Sequence, residues 1–165
     1  MQTNPTSYGS NGIILGPGTD LVTKSAGGKP FTTYVYPTTL LFAINGTPTS
    51  NATRYWWPGV MTNGGDSTEV FYRVQQASII QGMSVNMRTA PGAGKSISFT
   101  IKKSSTGVPG SGASTSMTIT VAGTDKSGVK QDVSVDVAAG EYISMEVVNS
   151  NGSSAADVVC EANIF

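Results

Sequence analysis

The stretch that decides the fold runs from Gly82 to Val121 and reads GMSVNMRTAPGAGKSISFTIKKSSTGVPGSGASTSMTITV. Apolar and polar residues alternate in three segments of it, around Val85, Phe99 and Ile119. Successive side chains of a β-strand point to opposite faces of a sheet, so this period of two predicts strands with one buried and one solvated face. The stretch therefore predicts three strands joined by two loops.

The first of these loops, Thr89 to Ser96, also resembles a nucleotide-binding loop. Gly94-Lys95-Ser96 matches the end of that motif, but Thr89 stands where its first glycine is required. The motif also has to open a helix, whose N-terminus helps to bind the phosphate, and here a period-two strand follows. We therefore predict a Pro-Gly hairpin loop in which Lys95 is a solvated charge.

The rest of the chain continues the same pattern, and no stretch repeats its apolar residues at helical spacing. One predicted strand runs from Glu69 to Val74, in which Val70, Tyr72 and Val74 alternate with Glu69, Phe71 and Arg73. About eight or nine short strands at spacings near ten residues are typical of a sandwich or a small barrel. We predict an all-β, antiparallel two-sheet β-sandwich, jelly-roll-like, that forms a single domain over residues 31–165.

Residues 1–30 predict an extended N-terminal arm, because they are rich in Gly, Pro, Ser, Thr and Asn. Two apolar islands interrupt this composition, at Ile13-Ile14-Leu15 and at Leu21-Val22. A purely solvated tail has no use for adjacent branched apolar residues. The islands predict either a strand that lies along the protein's own domain or a segment that is ordered only against a neighbouring subunit.

The composition excludes several classes of function. Charged residues make up 12% of the chain, and ten basic residues balance ten acidic ones without a long run of either sign. Nucleic acids and anionic membranes need a concentrated basic patch, so neither is an expected partner. The first seven residues lack the pattern of a signal peptide, and the apolar runs are far shorter than a membrane helix requires.

Few residues of the chain are suited to catalysis or to metal binding. The chain has no histidine and one cysteine, Cys160, which is expected to be buried on the last strand. Asp132, Asp136, Glu141 and Glu146 could in principle supply a glycosidase pair, but all four fall on predicted solvent-facing positions. A calcium site from Asp132 and Asp136 would need more oxygen ligands than the pattern shows. We predict a protein that is not an enzyme, with no catalytic residue, cofactor or metal.

Tyr55-Trp56-Trp57 is the strongest binding candidate within the sandwich. Adjacent residues of a strand point to opposite faces, so one tryptophan can belong to the core while the other is at the surface. Three interpretations stay open: core residues beside Pro58, anchors of a protein interface, or a stacking platform for sugars. The candidate partner-binding residues are therefore Tyr55, Trp56 and Trp57, together with Ile13, Ile14, Leu15, Leu21 and Val22 of the arm.

Residues 70–165 resemble small β-sandwich domains of phage and other viral virion proteins. The resemblance rests on the strand, hairpin loop and strand of Ser84 to Ile101 and on DVSVDVAAGEYISMEV at residues 132–147. It implies a capsid decoration, cement or head-fibre subunit on the particle surface, commonly trimeric, whose arm contacts other virion proteins and which has no catalytic residues. The alternative is a carbohydrate-binding β-sandwich module that uses the aromatic residues near 55–57.

Overall fold

A computed structural model describes residues 20–26, 29–35, 38–61 and 64–165, with side chains from residue 38 onward. The described chain is all β, without a helix, and divides into two compact units: one contains the first two strands, and the other is Thr39–Ile164. The strands of the described chain are β1 (Asp20–Ala26), β2 (Lys29–Val35), β3 (Thr38–Ile44), β4 (Ala52–Trp56), β5 (Gly59–Met61), β6 (Tyr72–Arg73), β7 (Ser78–Thr89), β8 (Gly92–Ser104), β9 (Ala113–Gly123), β10 (Ser127–Val137), β11 (Tyr142–Ser150) and β12 (Ala156–Ile164).

The larger unit consists of two sheets. The first sheet has the strand order β10-β7-β12-β3-β5, and the second has β4-β11-β8-β9 with the short β6 also paired to β11. Pairing is antiparallel in both sheets, apart from the parallel pair of β3 and β5. The predicted all-β, two-sheet β-sandwich is therefore confirmed. Separately, β1 and β2 form an antiparallel hairpin of their own.

The strand order is that of a jelly roll. Four strand pairs nest around one another along the chain: β8 with β9, β7 with β10, β4 with β11, and β3 with β12. The two members of each pair are neighbours in one sheet, and successive pairs alternate between the second and the first sheet. The short strands β5 and β6 are additions to this pattern; the period-two signal did not predict β5, and β6 lies within the predicted strand from Glu69 to Val74.

The core lies between the inner faces of the two sheets, and the deciding stretch supplies much of it. Every apolar residue of its three alternating segments is buried, while the polar residues between them face outward. The predicted alternation is confirmed at Met83, Val85, Met87, Ile97, Phe99, Ile101, Met117, Ile119 and Val121.

The loop that resembles a nucleotide-binding motif is a tight turn between β7 and β8, as predicted. β7 ends at Thr89 and β8 begins at Gly92, and the chain continues as a strand through Ser96. The prediction that Lys95 is a solvated charge is wrong. Its Nζ donates a hydrogen bond to the Gly152 carbonyl oxygen at 2.8 Å, because the turn between β11 and β12 packs against this end of the sandwich.

The predicted strand from Glu69 to Val74 is wrong for most of its length. Only Tyr72 and Arg73 form a strand, where they pair with the start of β11. Tyr72 is 42% exposed, whereas Val74, which the alternation placed on the same side, and Glu69, which it placed on the other side, are both 4% exposed. The physical reason is that the Glu69 carboxylate makes several polar contacts on the outer face of the second sheet, which outweigh the local alternation.

The thiol of Cys160 is expected to be unreactive in the folded protein. Cys160 is buried on β12, as predicted, and burial raises the pKa of the thiol far above its usual range. Because the thiolate is the reactive form, iodoacetamide should modify the chain only after denaturation. Mass spectrometry of native and denatured samples measures this difference, and complete labelling of the native protein would contradict the placement.

Candidate functional site

The outer face of the first sheet carries a set of apolar side chains. Val60 on β5 is 70% exposed and lies in register with Ala43 of β3. β5 is the last strand of its sheet in the described part of the chain. An exposed valine on an edge strand therefore stands at the border of the sandwich, where another chain can reach both its side chain and the strand backbone.

Val159 extends this apolar surface across β3. Thr39 Oγ1 donates to Asn163 Oδ1 at 3.4 Å near one end of β3 and β12, and Asp157 N donates to the Gly46 carbonyl oxygen at 2.8 Å near the other. The two strands therefore run antiparallel, and this register places Val159 beside Ala43. Leu41, Val60 and Val159 are exposed, and Ala43 between them is buried at 7% exposure. We call the side chains of Leu41, Val60 and Val159 the apolar patch.

The structure separates the three aromatic candidates from one another. Trp56 is fully buried, with its ring centroid 5.8 Å from that of Phe99 in an edge arrangement. Trp56 is therefore a core residue that no partner can reach. Trp57 is 41% exposed and directly precedes the turn into β5, while Tyr55 lies half-buried on the outer face of the second sheet. One tryptophan in the core and one at the surface is the arrangement that the strand alternation allowed.

The outer face of the second sheet is polar and regular. Tyr55, Glu146, Thr100 and Thr118 lie in one cross-strand row, each in register with the next. Thr53, Val148, Ser98 and Thr120 form the neighbouring row in the same way. Hydroxyl–hydroxyl bonds join β8 to β9 in both rows, at 3.1 Å and 2.8 Å. This face is suited to hydrogen bonding rather than to apolar contact.

An ionic cluster lies at one end of this polar face. Lys102 Nζ donates to Glu146 Oε2 at 3.2 Å and lies 3.7 Å from Glu69 Oε1. Burial opposes the charged form of Lys102, but the hydrogen bond and charge of Glu146, with the charge of Glu69, outweigh it and raise the pKa of Lys102. Burial likewise raises the pKa of Tyr55, whose ring centroid is 5.7 Å from Lys102 Nζ.

The Glu69 carboxylate also holds the loop between β8 and β9. Glu69 Oε2 accepts hydrogen bonds from the backbone N–H groups of Gly110 at 2.8 Å and Gly112 at 3.1 Å. A side chain at position 112 would clash, because its Cβ would lie 2.0 Å from Glu69 Oε1. These two hydrogen bonds hold the loop between β8 and β9 in place.

The four carboxylates considered for catalysis divide into two kinds. Asp132 and Asp136 are exposed, as predicted. Glu141 and Glu146 are partly buried and paired with lysines. Glu146 lies on the outer face of the second sheet, as predicted, but neither carboxylate is fully solvated. The Ala138 backbone N–H, with help from Lys103, lowers the pKa of Glu141. Among the described residues, no group of three or more acidic or cysteine side chains is placed to hold a metal ion.

The arm candidates fall largely outside the described residues. Ile13, Ile14 and Leu15 precede residue 20, so their partner-binding role stays a prediction. Leu21 and Val22 lie on β1, in register with Tyr34 and Thr33 of β2, and their side chains are not described. The predicted division at residue 30 falls within β2 and likewise stays a prediction.

Sequence reasoning missed Val60 and Glu69. Val60 belongs to a strand of three residues, too short to show a period, although its place between Pro58-Gly59 and Asn63-Gly64 was a signal for a short strand between turns. Comparison with protein-family models and with curated proteins found no match. In the described chain, no helix is long and apolar enough to cross a membrane.

Proposed function

We propose that the protein is a non-enzymatic structural subunit of a virion, of the capsid decoration, cement or head-fibre kind. It assembles as a homo-oligomer, with a trimer favoured, and contacts neighbouring virion proteins through its arm and the apolar patch. Its place is the particle surface. The observation that carries the proposal is the apolar patch on the outer face of the first sheet, centred on Val60.

Three properties support a binding surface at this patch. Exposed apolar side chains are unremarkable singly, but here Val60 on β5 and Val159 on β12 belong to the two strands that flank β3, which itself carries the exposed Leu41. The patch reaches an edge strand, where backbone groups are open to pairing. Trp57, two residues before β5, adds an exposed aromatic ring of the kind that anchors protein interfaces.

The jelly-roll strand order supports the class of protein by analogy, since this fold is common among viral coat proteins. The fold alone does not establish a function, because lectins and cupins share it. The neutral surface agrees with assembly through apolar contact rather than through charge.

The oligomeric mass tests the proposal. Light scattering after size-exclusion chromatography should give the full chain a mass three times that of one chain. Val60→Asp should weaken this assembly by more than about tenfold, since an unpaired carboxylate would be buried in the contact. The matched control is Val129→Asp, because Val129 is 62% exposed on β10 at the opposite edge of the same sheet.

A monomeric full chain at high concentration would overturn the proposal, as would equal effects of Val60→Asp and Val129→Asp. A chain that begins at Asp20 separates the contribution of the preceding arm residues from that of the patch. Immunogold labelling of purified particles checks the proposed location, and particles without label would overturn it.

A further inference from the structure

We propose that a shallow groove on the second sheet binds an uncharged, hydroxyl-rich ligand, a neutral glycan. The groove has a volume of about 290 Å³ and lies where the first residues of β4 pair with the last residues of β11. Six residues line it: Asn51, Ala52, Thr53, Val148, Asn149 and Ser150. The inference is independent of the proposed assembly function, which uses the first sheet.

The lining has the chemistry of a sugar site. It supplies the side-chain amide of Asn51 and the hydroxyl groups of Thr53 and Ser150, which together can donate and accept hydrogen bonds. Val148 adds an apolar surface for the C–H face of a sugar ring. None of the six residues is charged, so a charged ligand would find no counter-charge in the lining.

The groove is built on a rigid base. Asn149 is buried, and its Nδ2 donates to the Pro48 carbonyl oxygen at 2.9 Å while its Oδ1 accepts from Ser153 N at 3.0 Å. One side chain thus ties the loop before β4 to the turn after β11. Preorganised walls lower the entropic cost of binding, which matters for a small polar ligand.

Tyr55 extends the groove along β4. It lies on the same face as Thr53, two residues and roughly 7 Å further on. Its direct neighbour in the cross-strand row is Glu146 on β11, and Thr100 lies on the other side of Glu146. The groove volume is at the lower end of the roughly 300–1,000 Å³ of small-ligand sites, which suits a single sugar unit with Tyr55 available to the next one.

A glycan array with neutral, sialylated and sulfated glycans tests the inference on the full chain, followed by calorimetric titration of the strongest hit. We expect a neutral glycan to bind. Asn51→Gly should weaken that binding by about tenfold, because it removes the amide while glycine accepts the backbone φ of 52°. The matched control is Asn151→Gly, since Asn151 is exposed, has a φ of 61° and does not line the groove.

A second pair of variants separates the groove from the rest of the polar face. Thr53→Val removes a hydroxyl of the groove, and Thr118→Val removes one from the far strand of the same sheet. Only the first should weaken binding. The inference is overturned if no neutral glycan binds, if only charged glycans bind, or if the groove variants and their controls behave alike. A chain that is monomeric but binds glycans would overturn the assembly proposal and leave the glycan-binding inference in place.

Discussion

Replacing Trp56 with alanine is expected to lower the free energy of unfolding by about 3–5 kcal/mol. The indole is fully buried and packs edge-on against Phe99, so its loss removes a large apolar surface and leaves a cavity between the sheets. Gly65 approaches the indole so closely that a Cβ there would lie 2.5 Å from Nε1. Chemical denaturation followed by circular dichroism measures the change.

Trp57→Ala is the matched control, because the same side chain is removed from the next position. Trp57 is exposed, so its replacement should change the free energy of unfolding by no more than about 0.5 kcal/mol. Similar losses for both variants would contradict the assignment of one ring to the core and one to the surface. If Trp57 also contributes to the assembly surface, Trp57→Ala should reduce the oligomeric mass without reducing stability.

Replacing Glu69 with alanine is expected to lower the free energy of unfolding by about 3 kcal/mol, because two charge-assisted hydrogen bonds are lost. The backbone N–H groups of Gly110 and Gly112 would lose their acceptor, and Lys102 would keep only Glu146 as a counter-charge. The loop between β8 and β9 would then be released, which faster hydrogen exchange at these two glycines should report together with the change in stability.

Two further variants test whether the loss of stability in Glu69→Ala comes from the buried contacts of its carboxylate. Glu69→Gln retains a carbonyl oxygen for the loop but removes the charge that faces Lys102, so it should be less damaging than alanine. Asp132→Ala removes a carboxylate whose partner Lys130 is 3.7 Å away on an exposed surface, and it should cost about 0.5 kcal/mol or less. Equal losses for Glu69→Ala and Asp132→Ala would show that the buried contacts contribute nothing.

The two proposed surfaces lie on opposite faces of the sandwich and differ in chemistry. The apolar patch of the first sheet suits contact with protein, whereas the neutral hydroxyl and amide groups of the second sheet suit a glycan. Both can operate in one molecule, since an assembled subunit that uses the first sheet leaves the second one open. Val60→Asp and Asn51→Gly therefore test the two activities separately.

Much of the fold was predictable because strand burial follows a local rule. Along β7, β8 and β9, alternate residues reach the core whatever the rest of the chain does, and the hairpin at Thr89–Gly92 follows from its Pro-Gly sequence. The candidate sites were less predictable. The aromatic stretch at Tyr55 was identified, but the groove depends on Val148 and Ser150, which lie nearly a hundred positions further along the chain.

The environments of some single residues could not be predicted either, because their partners lie far away along the chain. Glu69 was predicted as an ordinary position of an alternating strand, yet its carboxylate is buried by contacts to Lys102, Gly110 and Gly112. Lys95 was assigned to solvent because it lies in a turn between two strands, yet its Nζ donates a hydrogen bond to a carbonyl oxygen in the turn after β11. A carboxylate or an ammonium is buried only where such partners exist, and no local pattern reports them.

The sequence by itself determined the sheet structure: the period of two specifies which side of each long strand is apolar, and two sheets packed face to face bury those sides. Only the tertiary structure decided which tryptophan is in the core, that Glu69 is buried and that Val60 joins Val159 in one surface. The reason is that alternation is a property of neighbouring residues, whereas these three outcomes depend on contacts between strands that the jelly-roll order brings together from distant parts of the chain.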